Sequence, residues 1–352
     1  MPERRIAVVL FNLGGPDAPE AIRPFLFNLF SDRAIIGVPQ PIRWCLATLI
    51  AHRRAPVARE IYDQIGGRSP LLELTREQAA ALEAELGDLG EVRVFVAMRY
   101  WHPMTEEAVL EVKAFAPERV VLLPLYPQFS TTTTASSLAA WRHNAGREGL
   151  NAPTSAICCY PSEPDFVAAH AALVRPGLDE ARGAGAPRLL FSAHGLPRRV
   201  VDKGDPYVWQ VERTAAAVAA ALAADRPGLD WRVCYQSRVG PLEWVGPSLD
   251  DELARAGREG VPVVVAPIAF VSEHSETLVE LDIEYRKLAA ERGVPAYVRV
   301  PALGTTPGFI AALGGLVRRS VSRDAALCSQ DGGRLCPGGY RGCPHRDGVG
   351  GG

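Results

Sequence analysis

VPVVVAPIAFVSEHSETLVELDIEY, residues 261–285, decides the fold. Its first part is a short, continuous run of valine, isoleucine and alanine. Such a run predicts a strand buried on both faces, as parallel sheets require. The second part changes to helical spacing. Leu278, Leu281 and Tyr285 mark a packed side, while Glu276, Glu280 and Glu284 stand four apart on another face. A buried strand feeding a helix is the unit of an α/β protein. His274 and Glu276 fall at the junction, the carboxyl end of the strand, which is where open α/β sheets bind ligands.

The same alternation runs through the chain. Further strands are expected at IAVVLFN (6–12), VRVFVAMRY (92–100), RVVLLPLYP (119–127), APRLLFSAH (186–194) and WRVCYQS (231–237), with weaker ones at TSAICCYP (154–161) and VPAYVRVP (294–301). Helical patterns lie between them, among them TREQAAALEAEL, TEEAVLEVKAF, WQVERTAAAVAAALAA and SLDDELARAGREG. The order repeats: RVFVAMRY, a helix and VVLLPLYPQFS match RVCYQSR, a helix and VVVAPIAFVSEH. Two Rossmann-like lobes with parallel sheets follow, 1–155 and 156–320, with a ligand cleft expected between them and a Cys-rich tail over 321–352. Residues 25–56, apolar but broken by Pro and Arg, read as a lid-like insertion of helices and loop.

Composition excludes several classes. Of 352 residues 47 % are apolar, enough for a sizeable core. A formal net charge of −2 argues against a nucleic-acid surface. The opening MPERRIAVVLFNL is broken by Asn12 too soon for a signal peptide, and no run has the roughly 20 apolar residues of a spanning helix. The expected compartment is the cytoplasm, with thiols reduced.

Chemistry-bearing residues gather at strand ends. FSAHGLP puts His194 after an apolar strand and before a turn, where imidazole can act as base or ligand. Its plainer reading is a histidine satisfied by backbone. Glu273 and Glu276 also suit the start of a helix, whose dipole favours anions. The sharper reading is a carboxylate row that guides a hard or borderline cation towards His194. LFNLGGPD gives a Gly-Gly turn for close backbone approach. MRYWHP supplies Arg99, and LYPQFSTTTTASS supplies Tyr126 and a hydroxyl run, a set suited to a flat apolar ligand with acidic edges. Aromatic residues at strand ends are also commonly packing.

LFNLGGPD, IGGRSPL, MRYWHP, LYPQFSTTTTASSL, FSAHGLP, CYQSRVGPLEWVGPSLDDEL and FVSEHSETLVELDIEY, in this order from residue 10 to about 290, resemble the ferrochelatase family. The resemblance implies a class II chelatase-like fold and insertion of Fe²⁺, the substrate metal, into protoporphyrin IX. It implies His194 and Glu276 as the catalytic, metal-insertion pair, expected in opposite lobes, with His274 and Glu280 on the same acidic path. Arg99 and Tyr126, with Asn12, Leu13 and Ser130 of the neighbouring motifs, are similar to porphyrin-contacting positions. Coproporphyrin III as the substrate, a cobalt or nickel chelatase, and a non-catalytic haem or metal carrier are the alternatives.

Seven cysteines complete the reading. Cys45 and Cys234 lie in apolar stretches and are expected in the core. Cys328, Cys336 and Cys343 cluster near the end, and the tail resembles that of ferrochelatases carrying a [2Fe–2S] cluster. A fourth thiolate is expected from only one of Cys158 and Cys159, because strand neighbours face opposite sides; Cys158 is the choice, with Cys159 left open. Departures from the family's cluster pattern leave the ligand identities open, with zinc or an unligated tail as the alternatives. The final HRDGVGGG is expected to be disordered. Ile35, Ile36, Ile42 and Trp44 suggest peripheral contact with the inner membrane, the alternative being a closed lid.

Overall fold

A computed structural model describes residues 5–237, 240, 242–323 and 325–345. The chain forms two compact units, Met1–Cys159 with Leu313–Gly333 and Tyr160–Ala312 with Arg334–Gly352. The end of the glycine-rich tail, 346–352, lies outside the described residues.

In the first unit β1 (Arg5–Asn12) leads to α1 (Ile22–Ser31), α2 (Gln40–Asp63) and α3 (Leu71–Glu85). There follow β2 (Glu91–Met98), α4 (Thr105–Phe115), β3 (Arg119–Pro124), α5 (Thr134–Glu148) and β4 (Thr154–Ile157). The second unit holds α6 (Pro164–Ala181), β5 (Arg188–His194), α7 (Arg198–Val201), α8 (Tyr207–Ala223), β6 (Trp231–Gln236), α9 (Leu249–Glu259) and β7 (Val263–Pro267). A π-helix (Glu276–Glu284), α10 (Tyr285–Glu291) and β8 (Tyr297–Arg299) continue it; α11 (Pro307–Ser322) and β9 (Leu327–Cys328) come last.

All strand pairs are parallel, in the orders β2-β1-β3-β4-β9 and β6-β5-β7-β8. The first four strands of each unit therefore have one topology: β5 corresponds to β1, β6 to β2, β7 to β3 and β8 to β4. The register extends this to residues. Asn12, last in β1, pairs with Met98, and His194, last in β5, pairs with Gln236.

The cores follow from the apolar runs. Ala7, Val9 and Phe11 of β1 pack with Ala108, Val109 and Val112 of α4 and Leu138 and Trp141 of α5. In the second unit Leu190, Val263 and Val265 pack with Leu249 and Leu253 of α9 and with Leu281 and Tyr285. Each fully buried Val, Leu or Phe among them contributes roughly 1.5–3 kcal/mol by burial. Gly14 shows what the Gly-Gly turn requires. Its φ is +85°, and a Cβ there would meet the Trp101 backbone nitrogen at 3.0 Å.

The structure corrects four expectations. Glu276–Glu284 winds as a π-helix rather than an α-helix. Cys45 is exposed on α2, because the core-facing side of that helix is Ala47, Ala51 and Tyr62; Cys234 is buried. Cys158 and Cys159 lie beyond the end of β4, so strand alternation does not apply to them, and their sulfurs are 3.5 Å apart. His194 and Glu276 belong to one unit, since their strands β5 and β7 are neighbours in one sheet.

Candidate active site

β5 ends on His194, and the neighbouring β6 ends on Gln236, followed by Ser237. The π-helix begins nine residues after β7, with Glu276 as its first residue. These three segments build one connected polar chain. Nδ1 of His194 lies 2.8 Å from Oε2 of Glu276. The Ser237 hydroxyl reaches that same oxygen at 3.1 Å and Oε2 of Glu280 at 2.5 Å. The Ser237 backbone N–H donates to Oε1 of Glu280 at 2.8 Å. The Gln236 amide donates to Oε2 of Glu280 and to the Glu276 carbonyl, both at 3.2 Å. Ser237 has φ 64°, a left-handed backbone in a non-glycine residue. Such strain costs of order 1–3 kcal/mol and concentrates at functional sites.

One hydroxyl proton cannot serve two carboxylates at once, so the second short contact is satisfied when Glu280 carries a proton and donates it. The electrostatics agree. Burial pushes the Glu280 carboxyl up, the Glu276 charge pushes it further, and it reaches about 7. Glu276 moves the opposite way: burial works against its charge, but His194 outweighs this and holds it below the usual carboxylate range. Burial lowers His194, and the Glu276 carboxylate more than reverses that, so its imidazole ends above its ordinary value. His194 keeps 38 % of its side chain exposed, which leaves the group reachable from solvent.

His274 is buried, its pKa lowered by burial, with its ring 4.4 Å from that of Phe270. Its Nδ1 has no hydrogen-bond partner among the described residues. Phe270 also stands 6.5 Å from the His194 ring. Glu284, the third member of the expected carboxylate row, is exposed.

In the first unit, the expected porphyrin-contacting residues fall at the corresponding strand ends. Asn12 is buried; its amide donates to the Thr75 hydroxyl at 3.0 Å and its oxygen accepts the Leu13 N–H at 2.8 Å. Arg99 donates to Asp32 and to the Ser136 hydroxyl, at 2.8 and 2.7 Å. Asp32 also accepts from the Tyr100 hydroxyl and from Ser136. Burial raises the Asp32 carboxyl, but Ser136 and Arg99 outweigh it and hold the group ionised at a lowered pKa. Tyr126 is half-buried, and Ser130 is buried with its hydroxyl 2.9 Å from that of Thr132.

The cysteines give a different picture. Cys158, Cys159 and Cys328 belong to the first unit and Cys336 and Cys343 to the second; all five are buried. Gln210 donates to the Cys336 sulfur at 3.1 Å. Among the described residues no group of three or more His, Cys, Asp or Glu side chains, these cysteines and the His194–Glu276–Glu280 set included, is placed to hold a metal ion.

Ser237, Gln236 and Phe270 escaped the sequence reading. CYQSRVGPLEW carried the signal: two polar residues at the end of an apolar strand, at the place where the first lobe has Met98 and Arg99.

A family model described as Ferrochelatase matches residues 5–321. Among curated relatives, the ferrochelatase of Caulobacter vibrioides is 54 % identical over 349 residues, covering 98 % of this chain and 99 % of that protein. That of Hyphomonas neptunium is 52 % identical, covering 98 % and 96 %, and that of Pelagibacter ubique 44 % identical, covering 96 % and 98 %. Among solved structures, SirB from Bacillus subtilis with Fe³⁺ matches with TM-score 0.52 at 14 % identity, over 90 % of this chain and 95 % of that one. The sirohydrochlorin chelatase SirB from Bacillus subtilis subspecies spizizenii, in complex with cobalt, also gives TM-score 0.52, at 13 % identity, over 91 % and 96 %. At that identity the likeness concerns the fold alone, two parallel α/β units of the chelatase kind.

Proposed function

This chain belongs to the ferrochelatase family, enzymes that insert iron into porphyrin in haem biosynthesis, and on that premise we propose that it acts on protoporphyrin IX with His194 and Glu276 as the reacting pair. The observation that carries this reading is the unbroken hydrogen-bond chain His194–Glu276–Ser237–Glu280.

Metallation replaces two pyrrole N–H protons by one Fe²⁺, so the site must take up two protons and attract a dication. With His194 neutral and both glutamates ionised, the chain carries two negative charges. One proton goes to the imidazole, where the adjoining Glu276 carboxylate stabilises the imidazolium. The second goes to Glu280, whose affinity for a proton lies near neutrality. The charge of the site falls from −2 to zero as the porphyrin loses two protons. The ionised carboxylates also offer oxygen ligands that suit Fe²⁺ while it sheds water. His274, buried behind Phe270, belongs to the wall of this path. Leu13, Arg99, Tyr126, Asn12 and Ser130 serve porphyrin binding. The support for this is chemical: an arginine for a propionate, and aromatic and apolar groups for the ring.

Anaerobic addition of Fe²⁺ and protoporphyrin IX is expected to convert the four-banded free-base spectrum to that of the metalloporphyrin, and Glu276→Gln is expected to abolish the conversion while porphyrin still binds. Porphyrin that binds to the unaltered protein without conversion would sink the reading in favour of a carrier.

Two finer proposals rest on narrower support. A [2Fe–2S] cluster rests on five buried thiols joined by no disulfide. Iron and acid-labile sulfide measured per chain decide it, and sulfide-free, colourless protein rejects it. Peripheral membrane contact rests on α2, where Ile42 (54 %) and Trp44 (58 %) are exposed with Leu46, Leu49 and Val57 beside arginines; Ile35 and Ile36 are half-buried. No described helix is long and apolar enough to cross a membrane. Co-sedimentation with anionic vesicles that survives Ile42→Glu/Trp44→Glu rejects the contact.

A further inference from the structure

The π-helix bearing Glu276 and Glu280 is a conformation that needs outside support. Its i→i+5 hydrogen bonds are rare and occur mostly as single turns, yet here they span nine residues. Each α-helical residue turns the chain by about 100°, and the looser winding turns it by less. The difference accumulates along the helix. If the segment rewound as an α-helix, Glu276 and Glu280 would change direction relative to residues near its far end.

Side chains of β8 brace the segment on both sides. Arg299, the last residue of β8, is nine-tenths buried. Its Nη1 donates to Oε1 of Glu273 at 2.5 Å, and its Nε donates to Oδ2 of Asp282 at 3.0 Å, with Nη2 on the same oxygen. Glu273 lies just before the π-helix and Asp282 within it, so one guanidinium ties both sides of the stretch holding His274, Glu276 and Glu280. The Glu273 oxygen accepts the Ala302 N–H as well, at 2.9 Å. A second tie comes from the same strand: the Tyr297 hydroxyl donates to the Leu281 carbonyl at 2.8 Å. The strand is anchored in turn, Arg299 being in register with Val265 of β7. None of these groups is part of the hydrogen-bonded chain that ends on His194.

We propose that Arg299 is a positioning residue for iron insertion, its guanidinium clamping Glu273 and Asp282 so that the π-helix holds Glu276 against His194. The inference rests on the reading of His194 and Glu276 as the reacting pair. Arginine suits this role and lysine does not, because the planar fork engages two carboxylates in fixed directions while an ammonium is a point charge.

The test compares Arg299→Lys, which keeps the charge, with Asp282→Asn, a milder change that leaves Arg299 paired to Glu273. The readouts are kcat and KM for Fe²⁺, porphyrin Kd by fluorescence quenching, Tm, and amide exchange over residues 274–284. Arg299→Lys is expected to lower kcat at least tenfold and to speed exchange in the segment, with porphyrin Kd within about twofold. Asp282→Asn is expected to show the same pattern more weakly, and the double variant to be no worse than Arg299→Lys, since coupled residues are non-additive. Unchanged kcat in both variants, or a loss in which porphyrin Kd worsens in step with kcat, overturns the clamp. If Arg299→Lys does not fold, the Asp282→Asn result alone decides. Glu276→Gln run in parallel separates the two levels: full activity there defeats the reacting pair itself, whereas inactive Glu276→Gln beside fully active Arg299→Lys defeats only the clamp.

Discussion

The first strands of the two units, β1 and β5, are each second in sheet order and end in unlike chemistry. β1 ends on Asn12, a neutral amide whose groups are spent on Thr75 and Leu13. β5 ends on His194, a titratable ring facing a carboxylate. One strand over, the residue after β2 is Arg99 and the residue after β6 is Ser237. In the first unit the arginine meets a single acid, Asp32, and two hydroxyls complete the set, so charge is balanced. In the second unit two carboxylates share one hydroxyl and one imidazole, so negative charge is in excess unless a proton or a cation enters. A shared frame can thus hold one polar cluster that is self-neutralised and one that is not, and the difference lies in whether the charges close upon themselves.

The largest test of that contrast removes the reactive end. His194→Ala is expected to lower the rate of iron insertion by about 10²–10⁴-fold, the usual range for a lost general base, measured by single-turnover absorbance. A loss of less than tenfold would mean that the second unit is no more reactive than the first.

The next test opens the closed cluster. Arg99→Met leaves Asp32 as an uncompensated buried charge, so a marked loss of stability is expected, of order 3–5 kcal/mol. Arg99→Met/Asp32→Asn should recover most of it. The rescued protein is expected to show a raised KM for porphyrin with kcat little changed. Restored KM together with restored stability would make the first-unit cluster purely structural.

A third, smaller effect sharpens the electrostatic half of the comparison. The folded Glu280 carboxyl titrates near 7, above its ordinary value, so the fold favours its protonated form. The folded state then binds more protons than the unfolded chain between about pH 4.5 and 7, and stability falls as pH rises through that window. Glu280→Gln should flatten this slope, seen as a smaller change in urea midpoint for metal-free protein. An unchanged slope would place the excess charge elsewhere.

The smallest effect concerns Ser237. Ser237→Gly and Ser237→Ala both lose the bridging hydroxyl, but only glycine is at ease at φ 64°. The glycine variant is expected to be more stable by about 1 kcal/mol in urea unfolding. Equal midpoints would show that the turn carries no strain.

Much of the frame was legible because parallel strands buried on both faces are written as unbroken apolar runs. The helix read at TEEAVLEVKAF is α4 as observed. α6 went unread because Pro176 and Gly177 resemble a break. In the structure Gly177 lets the helix approach the sheet, where an added Cβ would stand 3.3 Å from Val264 and Val298. The start of α5 was hidden in a run of hydroxyls, weak helix formers that packing overrides. His194, Glu276 and Glu280 were legible from their types and places. Ser237 and Arg299 were not. Their roles depend on a left-handed turn and on π winding, and neither has a periodicity that the sequence displays.

β9, only two residues long, has a protective consequence for the first sheet. With the residues flanking it, it supplies the carbonyls that the Ala156 and Cys158 N–H groups need, and the Gln330 N–H closes on the Cys159 carbonyl. A chain cut short before Leu327 would leave β4 as an open edge, with unpaired N–H groups able to template a strand from another molecule. On this account these few residues cover the sheet's edge, and a chain shortened before Leu327 is expected to self-associate while the His194–Glu276–Ser237–Glu280 hydrogen bonds stay intact.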